Sequence, residues 1–361
     1  MMENSFSDSY DSGDVVLKAN LKDLTLPEIE DLIRDLGAAK YRARQIAEWI
    51  FQKGAVSFQE MTNLSIRLRE QLEERFRISR PEIHLKFFSR RGDTVKYLFR
   101  LHDGQMVESV FMKQVYGRSV CVSTQVGCRM GCRLCASGLE GLERNLSPGE
   151  IYDQVLGIQQ DTGTRISHIV VMGAGEPLDN YGATVTFIKN ISAPYGFNIS
   201  CRHITVSTCG LVPGIRALAT EGLPLTLAVS LHAPDDELRD SLVPVNRKYP
   251  LGELLAACTE YAARTGRRIT FEYALLAGVN DSRENAEKLA GLLSGMLCHV
   301  NLIPANPVTE RGVRSPSRRQ IGIFKRILEE RGITATVRRE LGGDIDAACG
   351  QLRRRTLIRG M

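Results

Sequence analysis

An α/β fold, with a parallel sheet served by crossover helices and a small helical module in front of it, is what this sequence predicts. Three observations carry that expectation. From about residue 124 onward, short β-rich runs alternate with helical stretches. Between about 85 and 123 the hydrophobic period is two, and from Leu24 to about Ile78 it is that of a helix. Sustained strand–helix alternation implies parallel pairing, because each helix returns the chain to the same end of the sheet. The pattern leaves open whether the sheet stays flat or curls into a barrel.

Taken in order, residues 1–20 are rich in Ser and Asp and are expected to form a disordered tail. A helical module follows over 21–84. "LPEIEDLIRDLG" places Leu26, Ile29, Leu32, Ile33 and Leu36 on one face and closes at Gly37, a C-cap signal. "RARQIAEWIFQKG" repeats the pattern through Ile46, Trp49 and Ile50 to Gly54, and "LSIRLREQLEERF" supplies a third helix. Lys40, Arg42, Arg44 and Lys53 stand near the turns, where a solvated face is the ordinary reading and RNA contact the sharper one. A β-hairpin extension is expected over 85–120, from "TVKYLFRL" and "QMVESVFM" around an "HDGQ" turn, with "SVCVST" as the next strand. The core over 121–350 carries the strand signals "SHIVVMG", "HITVSTCG", "LTLAVSLHA", "RITFEYALL", "CHVNLIPAN" and "ITATVRRE". Between them lie helical stretches such as "SPGEIYDQVLGIQQ", "PLGELLAACTEYAARTG" and "SRRQIGIFKRILEERG". A basic tail, 351–361, ends the chain.

With 361 residues, 43% hydrophobic and 25% charged, the chain can bury a substantial core. No apolar run approaches the length of a membrane span, and the polar, acidic N-terminus lacks the apolar core of a signal peptide. A cytoplasmic protein without membrane attachment is therefore expected. In that compartment nine cysteines argue for metal or catalytic thiols before disulfides. The net charge of +5 suits an RNA or phosphate partner, although many ordinary enzymes share it.

Four of the nine cysteines fall in "CVSTQVGCRMGCRLCASG", residues 121–138. Cys128, Cys132 and Cys135 have C-x3-C-x2-C spacing in a Gly/Arg-rich loop, while Cys121 stands upstream in a β-type run. Thiolates are the usual protein ligands of iron–sulfur clusters. A cubane held by three of them keeps one iron open to an exogenous ligand. Zinc needs four ligands, and neither a His nor a second CxxC pair stands nearby to complete the set. Cys121 could serve only if its strand curled back. An iron–sulfur site is the preferred reading, and a zinc-stapled RNA-binding module without catalysis is the rival from a different class.

C-x3-C-x2-C after the first strand of a βα series is the signature of radical S-adenosylmethionine enzymes, and a narrower likeness surrounds it. "ESVFM", "CVSTQVGCRMGCRLCASG", "RNLSPGEI", "VVMGAGEPLDN", "ITVSTCG", "VSLHAPDDELRDSLVPVNRKYPL", "EYALLAGVND", "LIPANPV" and "GDIDAACGQL" follow one another in order. Through these motifs the chain, from about residue 20 to 355, resembles the RlmN/Cfr family of radical S-adenosylmethionine rRNA adenosine methyltransferases. The resemblance implies a partial (β/α)6 TIM-like barrel holding a [4Fe–4S] cluster and S-adenosylmethionine in its mouth, with the helical module given to RNA binding. It implies methylation of an adenosine of 23S rRNA at the peptidyl-transferase centre. In the carbon-2 branch, the adenosine 3′ of the anticodon in some tRNAs is a second substrate. The carbon-8 branch, which protects ribosomes from antibiotics, shares every motif quoted. Nothing here is peculiar to it, and the housekeeping carbon-2 branch is expected.

Position by position, the resemblance assigns Cys128, Cys132 and Cys135 to the cluster. It makes Gly175 and Glu176 of "GAGEP" a turn that approaches the cofactor and accepts from its ammonium group. A dinucleotide-binding loop is the alternative there, but Leu178 occupies the third glycine position and Pro177 intervenes. Ser207, Ser230, Leu231 and His232 stand at strand ends, where parallel-sheet enzymes put ligand groups. With Asn306 they are implied to contact S-adenosylmethionine. A strand-end Ser or His is by itself more often a satisfied turn residue.

Carbon-2 of adenine is electron-poor and closed to direct attack on a sulfonium methyl, so a radical route is required. In the family scheme Cys349 is methylated by one S-adenosylmethionine, and a second is cleaved reductively to the radical that activates that methyl group. The base is thereby joined to Cys349, and Cys121 then forms a disulfide with Cys349 to release it. Glu108 matches the family's base for the ring proton. Without the resemblance, Cys349 reads as incidental and Glu108 as a solvent-facing strand residue. Cys201, Cys209, Cys258 and Cys298 are read as incidental or buried thiols. A flavodoxin- or ferredoxin-like electron donor and a monomeric state complete the expectations. The helical module, "FSRRGDTVKYLFR" and "RRRTLIRG" are the candidate RNA contacts.

Overall fold

The computed structural model describes residues 18–306, 314–339 and 341–352. The 1–20 tail, apart from its last three residues, and "RRRTLIRG" lie outside the described residues.

The helical module opens with β1 (Ala19–Asn20), α1 (Leu26–Asp35) and α2 (Tyr41–Ala47). Glu28 starts α1 by accepting from Thr25 N at 2.7 Å and from Thr25 Oγ1 at 2.6 Å, and Pro27 adds a preset φ. Gly37 and Gly54 take φ of +69° and +68°, as the sequence leads one to expect of helix ends. Between α2 and Gly54 the helix continues as a π-helical turn over Glu48–Lys53. α3 (Ile66–Arg75) leads into β2 (Phe76–Arg77), which pairs in parallel with β1.

Four antiparallel strands follow: β3 (Glu82–Phe88), β4 (Thr94–Arg100), β5 (Met106–Gln114) and β6 (Gly117–Cys121). The extension is thus continuous with the main sheet. Its alternation does not mark a half-solvated surface, because both faces of β4 and most of β5 are buried. Phe99, Val107 and Phe111 join the main core, while Val110 and Met112 meet Ala347 and Leu352 of the C-terminal segment.

A short hairpin, β7 (Gln125–Gly127) and β8 (Leu142–Asn145), brackets the cysteine loop. The chain then alternates through α4 (Pro148–Thr162), β9 (His168–Val171), α5 (Tyr181–Ser192), β10 (Ile204–Thr208), α6 (Val212–Leu218) and β11 (Thr226–Ser230). It continues with α7 (Asp236–Leu242), α8 (Leu251–Thr265), β12 (Ile269–Leu275), α9 (Arg283–Leu292), β13 (Cys298–Pro304), α10 (Arg318–Glu330) and β14 (Ala335–Val337). The sheet order is β14-β13-β12-β11-β10-β9-β6-β5-β4-β3, parallel from β6 to β14. Six strands from β6 to β13 form the parallel run, and short β14 extends it at one edge. Among the described residues the two edge strands do not pair, so the sheet stays open. This is the open (β/α)6 arrangement that the resemblance implies. Its strands bury one apolar face, with Val206, Val229, Phe271 and Val300, in the main core, while the other face carries polar residues such as Thr205, Ser207, Thr270, Glu272 and Asn301.

The module is fastened to the sheet by a buried ion pair. Lys22 Nζ donates to Asp153 Oδ1 of α4 at 2.6 Å and to Ser79 O at 2.7 Å, and Ser79 Oγ reaches Asp153 Oδ2 at 2.5 Å. Lys22→Met leaves the Asp153 carboxylate buried without its cation, and stability is expected to fall by about 3–5 kcal/mol. Urea titration measures it, and Lys22→Met/Asp153→Asn recovers part of the loss. A single-variant cost below about 1 kcal/mol contradicts this account of the junction.

Candidate active site

The site grows from the carboxyl ends of the parallel strands, where backbone groups and loops converge above the sheet. A cavity of about 1100 Å³, counting its open mouth, lies there. One wall is the cysteine loop, with Cys128, Cys132 and Cys135. Gly175 and Glu176 line it beyond β9, Ser207 from β10, Ser230 and His232 from β11, and Asn306 beyond β13. The geometry thus brings these residues together around one space. Leu231 differs: its side chain is fully buried in the main core and does not line the cavity.

The loop is held by main-chain bonds together with the Arg129–Asp179 ion pair. Cys128 N donates to Gly141 O at 2.9 Å, and Arg133 N to Leu242 O at 2.8 Å. Gly127, with φ +78°, has no room for a Cβ, which would stand 2.0 Å from Gly141 O. Burial pushes the Cys128 thiol up to about 12 and raises Cys135. Cys132 is lowered by a hydrogen bond from Cys209.

Glu176 is buried with both oxygens in use. Oε2 accepts from Cys209 N at 2.8 Å and Oε1 from Leu178 N at 3.0 Å. Its pKa is raised by burial, against which these bonds act. Gly175 has φ +106°, and an added Cβ would lie 2.8 Å from Gln125 N, so this turn accepts glycine alone without distortion. His232, itself at φ 59°, accepts from Ala274 N through Nδ1 at 3.0 Å. Burial, with Arg239 nearby, pushes its pKa down to about 3. The ring is therefore neutral, with its proton on Nε2. Arg239 itself is a buried strut that donates to Cys209 O (2.7 Å), Ser230 O (3.1 Å), Leu231 O (3.1 Å) and Asn246 Oδ1 (2.8 Å).

The C-terminal segment closes the site. Ala136 N donates to Gly350 O at 2.7 Å, Ser137 Oγ to Leu352 O at 2.9 Å, and Asn306 Nδ2 to Cys349 O at 3.1 Å. Cys349 thereby lines the large cavity and also a smaller one of about 570 Å³ that it shares with Cys121. Cys121 ends β6 opposite Val110 of β5 and is buried. Burial first, and the Cys349 sulfur second, push its thiol up to about 12. All nine cysteines are free thiols.

Glu108 lies on the same face of β5 as Val110, two residues before it. It is only 4% exposed and pairs with Lys96 Nζ at 3.0 Å, so the solvent-facing reading fails. It lines a neighbouring cavity, with Ser137 and Ala174, rather than the large one. The same pair removes Lys96 from the candidate RNA surface. On the helical module, Lys40 pairs with Glu30 and Arg44 with Glu48, Arg42 donates to Asn63 O, and Lys53 sits over the Trp49 ring. Each basic residue singled out there has a partner within the chain.

Two groups escaped the motif reading. Cys209, set aside as incidental, lines the large cavity beside Cys132 and Glu176. Arg338, just past β14, lines both cavities. The sequence signal for each was its strand-end position alone.

The residues present suit the cofactors of a radical S-adenosylmethionine enzyme. The donor set of the loop is thiol only, which is the ligand chemistry of an iron–sulfur cluster. Glu176, buried on the wall of the same cavity, sets a carboxylate opposite that loop for a cationic group.

Comparison with known proteins agrees. Residues 19–78 match the family described as ribosomal RNA large subunit methyltransferase N-terminal domain, and residues 122–290 match the radical SAM superfamily. A relative from Pelotomaculum thermopropionicum, named a probable dual-specificity RNA methyltransferase RlmN, is 68% identical over 100% of this chain and 98% of its own length. One from Desulforamulus reducens, with the same name, is 60% identical over 94% of this chain and 97% of its own. The crystal structure of a radical SAM methyltransferase from Sphaerobacter thermophilus superposes with a TM-score of 0.88 at 49% identity, covering 93% of this chain and 99% of that one. No helix among the described residues is long and apolar enough to cross a membrane. Three thiols on one loop, two more lining one adjoining cavity and this degree of likeness lead to one conclusion: the chain belongs to the RlmN family of radical S-adenosylmethionine RNA methyltransferases.

Proposed function

We propose that the chain methylates carbon-2 of a specific adenosine at the peptidyl-transferase centre of 23S rRNA, and of the adenosine 3′ of the anticodon in tRNAs. The observation that carries this reading is the meeting of Cys121 and Cys349, distant in sequence, on one cavity wall beside the three-cysteine loop. The names of the relatives favour the carbon-2 branch.

In this reading Cys128, Cys132 and Cys135 hold a [4Fe–4S] cluster, and Gly175, Glu176, Ser207, Ser230, His232, the Leu231 backbone and Asn306 surround S-adenosylmethionine. When bound, these groups supply the methyl group and the one-electron chemistry that an electron-poor ring carbon needs. Glu176, anchored through both oxygens, presents negative charge to the cofactor's ammonium group. Neutral His232 offers Nε2–H as a donor. Cys349 carries the carbon unit and becomes joined through it to the base. Glu108, in its pair with Lys96, takes the ring proton. Cys121 then attacks the Cys349 sulfur. The S–S bond forms as the bond from Cys349 sulfur to the carbon unit breaks, and the carbon keeps the electron pair and gains a proton. Because burial holds the Cys121 thiol protonated, it must lose its proton as it attacks, which guards against an early disulfide. The disulfide must then be reduced, so an external electron donor of flavodoxin or ferredoxin type is part of the proposal. The chain acts as a monomer.

Protein reconstituted anaerobically with iron and sulfide and given S-adenosylmethionine without RNA is expected to gain one methyl group on the peptide containing Cys349. Peptide mass spectrometry reads this directly. An unmodified Cys349 in protein with a full cluster overturns the proposed carrier role.

A further inference from the structure

We infer that Arg338 selects the target base: its guanidinium donates to a ring nitrogen of adenine, N1 or N3, next to the carbon being methylated. The inference rests on the carbon-2 methylation proposed above.

Position is the first argument. Arg338 N donates to Leu302 O at 2.8 Å, which fixes the residue at the carboxyl end of the sheet. From there its side chain lines both the large cavity and the one shared by Cys121 and Cys349. Arg339 also lines the smaller cavity but pairs with Asp93 at 3.6 Å, so Arg338, which lines both, is the cation available to a base that meets the Cys349 sulfur.

Unused bonding capacity is the second. Among the described residues no side-chain hydrogen bond or ion pair engages the Arg338 guanidinium. Arg239 is the contrast within the same fold, since its guanidinium is spent on three main-chain carbonyls and Asn246. A structural arginine in this protein looks like Arg239. Arg338 instead keeps a planar fork of five donors facing the cavities. The neighbouring Cys349 sulfur and the buried Glu272 carboxylate hold it firmly charged.

Ligand chemistry is the third. Carbon-2 of adenine lies between N1 and N3, which in the neutral base are acceptors without hydrogens. A donor-only cation matches that edge. Guanine puts N1–H and a 2-amino group there, and both would face donors. A bond from the cation to N1 or N3 also draws electron density from carbon-2, which favours both addition at that carbon and loss of its proton. Arginine more often contacts phosphate. Here, however, Val110, Met112, Ile303 and Leu341 make much of the surrounding wall apolar. A flat base loses little on entering such a space, whereas a phosphate would be stripped of water.

The test uses the full-length reconstituted enzyme as wild type, Arg338→Met and Arg338→Lys. The substrate is an RNA hairpin carrying adenosine, 1-deazaadenosine or 3-deazaadenosine at the target. Arg338→Met is expected to form methylated Cys349 normally. At saturating RNA its base methylation falls about ten- to a hundredfold, the range for a hydrogen bond to a charged group. Arg338→Lys recovers part of that. One of the two deaza substrates is expected to slow wild type by a similar factor while costing Arg338→Met nothing further, which identifies the nitrogen. Penalties that multiply on both deaza substrates overturn the inference. So does a loss confined to KM with a shallower salt dependence, which would mark a phosphate contact. Failure of Arg338→Met to methylate Cys349 also overturns it, by assigning Arg338 to the earlier step. Failure of wild type to methylate Cys349 or carbon-2 instead refutes the proposed function, independently of Arg338.

Discussion

Replacing Cys121 by Ala is expected to leave the protein covalently bound to its RNA. In the proposed reaction release requires a second sulfur near Cys349, and Cys121 is the only other cysteine, among the described residues, on the wall of their shared cavity. It is held at the end of β6 in register with Val110, so nothing nearby can swing into its place. Cys209 does not line that smaller cavity and is hydrogen-bonded to Cys132. Carbon transfer to the base does not need Cys121, so the reaction proceeds to the thioether and stops. Multiple turnover is expected to fall by at least about a thousandfold, as when a member of a cooperating catalytic set is removed. Labelled RNA should run with the protein on a denaturing gel, and nuclease digestion should leave a nucleotide on the Cys349 peptide. Turnover at the wild-type rate contradicts the releasing role.

The second large effect concerns the cysteine loop. Cys128→Ala is expected to abolish iron binding and all RNA methylation while leaving the fold intact. The loop geometry comes from the β7–β8 hairpin and from main-chain bonds such as Cys128 N to Gly141 O, none of which needs the sulfur. Stability of the unloaded protein should therefore change by less than about 1 kcal/mol, as for a substitution outside a packed core. Anaerobically purified wild type is expected to be brown, with about four irons and matching sulfide per chain, the content of one cubane cluster. A colourless protein with one zinc would support the zinc-stapled alternative.

Where the fold was legible from sequence, the signals were local. Gly37 and Gly54 are single-residue conformational statements, and they place the ends of the first two helical stretches closely. The C-x3-C-x2-C loop and the strand ends were equally local. What escaped depended on contacts made across the chain. β4 and β5 alternate in sequence, but the core on one side and residues 347–352 on the other bury both faces. Without the resemblance Glu108 therefore reads as solvent-facing, whereas in the fold its strand has a second cover and Lys96 stands beside it. α5 went unmarked because Thr184, Val185, Phe187, Ile188, Asn190 and Ile191 are all buried, which leaves no clean polar face to set a period. Arg338 and Cys209 acquire meaning only when β14 and β10 deliver them to the same space. The pairing of Cys121 with Cys349 came from resemblance, since nothing local joins residues so far apart.

The central claim is tested most directly by the product. RNA from cells lacking the endogenous activity, with and without this protein, should be digested to nucleosides and the methyladenosine isomers separated by chromatography and mass spectrometry. 2-Methyladenosine in both 23S rRNA and tRNA, dependent on Cys349, is the predicted result. 8-Methyladenosine alone, in 23S rRNA, would contradict it.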